Sequence, residues 1–202
     1  MEMRMPKARL EAFSDGVIAI IITIMVLELR PPQGAELSAL KPLLPTALGY
    51  ALSFIYVGIY WNNHHHIMRA VSGISGSVMW ANSHLLFWMS LIPFATAWME
   101  QRHFARGPVA VYGLTLLLTG AAFRIFSACL VRREGRQSAL AEALNGDRKT
   151  DLSIAAYAAG VAIAFFAPVI SLALYALVAA MWILPDRRVA HLADGVRHGQ
   201  PQ

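Results

Sequence analysis

Of the chain's 202 residues, 57% are hydrophobic and only 14% are charged, against a charged fraction of about 25% in ordinary soluble domains. That balance excludes a water-soluble globular protein and reads as an all-α integral membrane protein. One cysteine, Cys129, leaves no intrachain disulfide and no thiolate metal site, and the formal net charge of +5 comes with no nucleic-acid-binding motif.

Charge is confined to short clusters, and between them lie uncharged windows at residues 42–68, 70–99, 107–123 and 152–185. About 18 apolar residues suffice for a spanning helix. The first apolar run, residues 16–27, is shorter, and its flanks decide its meaning. It ends in Leu-Glu-Leu-Arg-Pro-Pro with no small-residue cleavage site, so it is expected to remain in the mature protein. A helix over residues 9–29 rises about 30 Å at ~1.5 Å per residue, enough to cross a bilayer. Spans are expected next at 45–68, 76–99 and 107–131. Pro93 should kink the third, because proline removes a backbone donor and clashes with the preceding turn. Pro168 divides the last window into two short helices, 151–167 and 169–184, giving six spans.

Six spans put both termini on one side. Arg4, Lys7, Arg9, Arg69, Arg132, Arg133, Arg136, Arg148, Lys149, Arg187, Arg188 and Arg197 fall on that side, and only Arg30, Lys41, Arg102 and Arg106 on the other. The positive-inside rule therefore makes the termini cytoplasmic. Residues 1–186 are read as one transmembrane domain and 187–202 as a cytoplasmic tail. Anionic lipid fits the basic loop better than nucleic acid does.

Within this frame the polar residues stand out. Ser14 and Asp15 either cap a helix that starts at Ser14, with Arg9 as a cytoplasmic anchor, or lie inside a longer helix and require partners on other helices. Val17 at the capping-box position and Pro6 as a first-turn residue favour the earlier start. At the end of the second span, His64, His65 and His66 point about 100° apart on a helix, which argues against a shared metal ion. Asn82, Ser83 and His84 lie at a similar depth on the third span, so polar groups of three helices are expected to form a clamp, whether as a functional site or as interhelical glue. Arg124 interrupts the fourth span and is read mainly as snorkelling toward headgroups. Glu28 is either solvated or part of an ion vestibule.

The motif R-x-x-x-F-S-D at residues 9–15, the W-x-x-H of Trp61 and His64, and Asn82 followed by Pro93-Phe94 resemble the lysosomal potassium channel family, transmembrane protein 175. The resemblance runs from Arg9 to about Met99. It implies a homotetrameric, potassium-selective channel of the bacterial inner membrane, with no re-entrant pore loop and no cofactor beyond the permeant potassium ion. It also implies a pore lined by the first helix, with Ile20 at the constriction and Thr23, Ile24 and Leu27 further along. Consistent with this, the chain has no T-V-G-Y-G filter. Arg9, Phe13, Ser14 and Asp15 would then face away from the pore and bind Trp61, His64 and Asn82, with burial of Asp15 offset by charge-assisted hydrogen bonds. The rival reading is a proton-coupled secondary transporter using Asp15, His84 and Arg124. No paired carboxylates, nucleophile elbow or metal-spaced ligands support an enzyme.

Overall fold

The computed structural model describes residues 6–144 and 148–183. Arg4, the predicted tail at 187–202 and its three arginines lie outside the described residues. Helix α1, Lys7–Leu27, follows Pro6 and stops before Pro31 and Pro32, so Ser14 sits in its second turn and not at its cap. A short 3-10 turn, Leu37–Leu43, runs directly into α2, Leu44–Arg69, where Pro45 occupies the first turn and its missing N–H costs nothing.

The third expected span is two helices. Helix α3, Gly76–Ser90, begins at Ser75, whose hydroxyl accepts from the Val78 N–H at 3.4 Å, and α4 covers Ile92–Gln101. The break at Leu91 arises because Pro93 has no N–H to offer Met89 and its ring crowds that carbonyl. His103 and Phe104 then adopt left-handed backbone (φ 52° and 57°), turning the chain sharply into α5, Arg106–Glu134. Such a conformation costs non-glycine residues about 1 kcal/mol or more. Phe104 offsets it by packing on the core and bonding the Met99 carbonyl at 2.9 Å.

Helix α5 ends at Gly135 in a positive-φ conformation (98°) and leads to the short α6, Ala139–Leu144. Helices α7, Arg148–Ala164, and α8, Pro168–Ile183, form the hairpin that Pro168 predicts, with the proline as the first residue of α8. Ser171 fastens the pair by donating to the Gly160 carbonyl at 2.8 Å. Among the described residues, three continuous helical stretches, Lys7–Leu27, Leu37–Arg69 and Arg106–Glu134, are long and apolar enough to cross a membrane, whereas the 16 residues of α8 make a shorter apolar helix.

Helix α5 is the axis of the bundle and packs against α3, α4, α7 and α8, while α1 lies over α2, α3 and α4. Close approach is secured by glycine. Gly113 on α5 and Gly160 on α7 flank the fully buried Tyr175 of α8, and a Cβ at either glycine would collide with the tyrosine ring or its hydroxyl. Small residues at helix contacts are what a bundle needs where lipid supplies no hydrophobic drive between helices.

Candidate functional site

Helix α1 has two distinct faces. Leu10, Ser14, Ile18, Ile21 and Met25, spaced three or four apart, are buried against the rest of the chain. Ile20 (58% exposed), Ile24 (45%), Leu27 (79%) and Thr23 are open. At about 100° per residue these four occupy an arc of about 100° away from the buried stripe. Part of the open face borders a groove of about 730 Å³ shared with α4, lined by Ile20, Ile24, Glu28, Phe94 and Trp98. The Thr23 hydroxyl donates to the Ile20 carbonyl at 2.9 Å, so its oxygen lone pairs remain available on the open side.

The buried face is pinned near its N-terminal end. Asn82 on α3 is fully buried and its Nδ2 donates to Ser14 Oγ at 3.0 Å, while Ser14 donates to the Leu10 carbonyl at 2.8 Å. On its other side Asn82 Oδ1 lies 2.8 Å from His64 Nε2. An amide oxygen only accepts, so His64 carries its proton on Nε2. The His64 ring stacks on Phe126 of α5 (centroids 5.1 Å apart, interplanar angle 10°), which links α1, α3, α2 and α5 in one chain of contacts. Asp15 is held separately, accepting from Trp61 Nε1 at 3.0 Å, and His65 stacks on that indole.

Five of the seven residues expected in the clamp, Ser14, Asp15, Trp61, His64 and Asn82, are therefore brought into contact. Asp15 is not buried, however, but meets Trp61 at the exposed surface of the chain. Arg9 and Phe13 stand apart. Both are exposed, and helical periodicity places them on the stripe of Ile20, Ile24 and Leu27, within an arc of about 60°. A four-residue spacing joins Arg9 to Phe13, whereas Ser14 lies about 100° further round the helix.

The three histidines diverge into different surroundings, and among the described residues no group of His, Cys, Asp or Glu is placed to hold a metal ion. The trio of the transporter reading is not assembled. Asp15 contacts Trp61, His84 accepts from Trp88 Nε1 at 2.9 Å on its own helix, and Arg124 pairs with Asp151 of α7.

Other contacts were not visible in the sequence. Lys7 Nζ reaches the carbonyls of Arg69 and Val71 at 3.4 and 3.1 Å, so the first residue of α1 closes the C-terminal end of α2, where a cation is favoured by the helix dipole. Arg133 holds the Gly73 carbonyl at 2.8 Å and Glu134 accepts from the Ser72 N–H and hydroxyl, fixing the same loop to α5. Deeper in the bundle, Ser53 joins Thr96 (2.7 Å) and Tyr112 (3.0 Å), and Glu100 lies against Gly49, where only a glycine leaves room for its carboxylate.

The same arrangement of helices occurs in the crystal structure of a lysosomal potassium-selective channel TMEM175 homologue from Chamaesiphon minutus. That structure matches with a TM-score of 0.76 and 28% identity over 88% of this chain and 96% of the other. The fold is thus that of a helical membrane channel. Residues 9–93 match the family described as endosomal/lysosomal potassium channel TMEM175. A potassium channel of Chryseobacterium sp. is 52% identical over 185 residues, covering 92% of this chain and 96% of that protein. The human endosomal/lysosomal proton channel TMEM175 is 31% identical over half of this chain but over only 22% of its own length. The chain belongs to the TMEM175 family.

Proposed function

We propose that four copies of this chain surround a pore lined by the open face of α1 and conduct potassium in preference to sodium. The observation that carries this reading is the division of α1 into a pinned face and an open one. An apolar stripe at Ile20, Ile24 and Leu27 on a helix whose other side is fastened through Ser14 and Asn82 needs a partner of its own. Four Ile20 side chains form a hydrophobic constriction that conducts when wide enough to wet, and four Thr23 hydroxyls form the polar ring beside it. The resulting selectivity is moderate, since it depends on pore width and one sparse ring of oxygens.

In this reading α1, α2, the α3–α4 pair, α5, α7 and α8 are the six spans, residues 1–186 form the membrane domain, and residues 187–202 form a tail. Both termini face the cytoplasm of a bacterial inner membrane. The chain is no enzyme and uses no cofactor. Arg9 and Phe13, lying on the same stripe as Ile20, belong to the cytoplasmic mouth or to the contact between copies.

Cation flux from liposomes containing the purified protein tests the proposal, with potassium, sodium and proton gradients compared for wild type and Ile20→Asn. Passive, potassium-favouring flux that rises in the variant is expected. Flux that requires a proton gradient, or that ignores the change at Ile20, would overturn it.

A further inference from the structure

Arg124 takes no part in the clamp or in the open face of α1. It lines a cavity of about 660 Å³ at the cytoplasmic end of the bundle, enclosed by α5, the turn after it, α6 and the first turn of α7. That volume falls within the range of about 300–1,000 Å³ typical of small-molecule sites. Among the described residues that line it, the cavity carries charge of both signs: Arg124 and Arg136 against Glu142 and Asp151. Arg124 and Asp151 pair with each other, and both side chains remain more than half exposed, so the pair is open to a ligand. Ser127 also lines the cavity, and its buried hydroxyl has no hydrogen-bond partner among the described residues. A serine inside a helix normally returns its hydroxyl to the carbonyl four residues back; an unpaired one beside a cavity marks a place for an acceptor or donor from outside.

The balance of charge selects the ligand. A simple anion would meet two carboxylates here and a simple cation two guanidinium groups, whereas a zwitterion satisfies both sets. Position adds the rest. Asp151 lies in the first turn of α7 and Arg124 on α5 below the basic loop, so with the membrane placement proposed above, on which this inference rests, the cavity opens where headgroups lie; Phe123 and Val131 give it an apolar wall.

We propose that this cavity binds the headgroup of an ethanolamine phospholipid. Its phosphate lies against Arg124 and Arg136, its ammonium against Glu142, and its glycerol along Phe123 and Val131. Arginine suits the phosphate because its planar fork donates two parallel hydrogen bonds. A primary ammonium has N–H groups to give Glu142, which a choline headgroup lacks. Soluble phosphoethanolamine compounds share this chemistry, and only a tethered acyl chain distinguishes the lipid.

Native mass spectrometry of the purified protein, after exchange into an equimolar mixture of phosphatidylethanolamine, phosphatidylglycerol and phosphatidylcholine, tests the assignment by counting retained lipids. Wild type should retain phosphatidylethanolamine above the other two by about tenfold, as expected for one charge-assisted hydrogen bond. Glu142→Gln should abolish the preference over phosphatidylglycerol, and Arg136→Gln should lower retention of all three. Both side chains lie outside the buried core, and thermal unfolding checks that the variants remain folded. Equal retention of the three lipids by wild type, or an unchanged preference in Glu142→Gln, would overturn the proposal. Glycerophosphoethanolamine should displace the lipid only at large excess; displacement at concentrations comparable to the lipid would make a soluble compound the occupant and refute the lipid assignment.

Discussion

Truncating Asn82 to alanine removes the centre of the contact chain that pins α1. The amide makes two short contacts, at 3.0 Å to Ser14 and 2.8 Å to His64. His64 is 2% exposed, so its Nε2–H would be left buried without an acceptor, at about 1–3 kcal/mol. Ser14 retains its bond to the Leu10 carbonyl, so the second contact contributes less, on average about 0.6 and at most about 1.7 kcal/mol inside membrane bundles. The expected loss for Asn82→Ala is therefore about 2–4 kcal/mol, a factor of roughly 30 to 700 in the folding equilibrium. Reversible unfolding of the purified protein in mixed micelles measures it. Ser83→Ala is the matched control: its residue is exposed and its hydroxyl bonds the Met79 carbonyl of its own helix at 3.0 Å. A loss at Asn82 no greater than that at Ser83 would refute the reasoning.

Gly113→Ala places a methyl group against the Tyr175 hydroxyl and should lower stability by about 1–3 kcal/mol; unchanged unfolding would mean that the close packing of α5 and α8 is not needed. Asp15→Asn keeps an oxygen for Trp61 and should behave as wild type, whereas Asp15→Ala loses that bond at the chain surface and should reduce the fraction of the proposed tetramer on native gels, with a smaller effect on the fold of one chain than Asn82→Ala. Thr23→Val preserves shape and removes the hydroxyl, so the ratio of potassium to sodium flux should fall while the assembly persists; an unchanged ratio would remove Thr23 from the selectivity reading.

Much of this fold is legible in the sequence because proline and buried polar groups have few physical options. Pro168 marks the start of α8, and Pro93 sits just past the break between α3 and α4. The interruption is the single residue Leu91, at right-handed backbone angles (φ −87°, ψ −10°), where Pro93 denies Met89 its hydrogen bond. Ser14, His64 and Asn82 are costly in an apolar bundle unless they meet, and their similar depth on three helices is enough to predict that they do. Arg9 and Phe13 show the opposite case. Treated as part of one motif they should share the fate of Ser14, yet the helical period separates adjacent residues by about 100° and turns them to the other face. Lys7, Arg133 and Glu134 bind mainly backbone groups of the loop at 70–75, and a carbonyl has no identity that a sequence can display. The hydroxyls of Ser53, Thr96 and Tyr112 were hidden differently, as isolated letters within apolar windows.

In the proposed pore, the two-faced character of α1 makes folding and permeation separable traits. Substitutions at positions 20, 23, 24 and 27 alter side chains that one chain leaves exposed, so with α1 lining the pore as proposed they retune what passes without taxing the subunit that carries them. Changes at 10, 14, 18, 21 and 25 act first on the subunit and reach conduction only through it. A library varied along this single helix should therefore sort into two populations, one that varies in yield and one that varies in current.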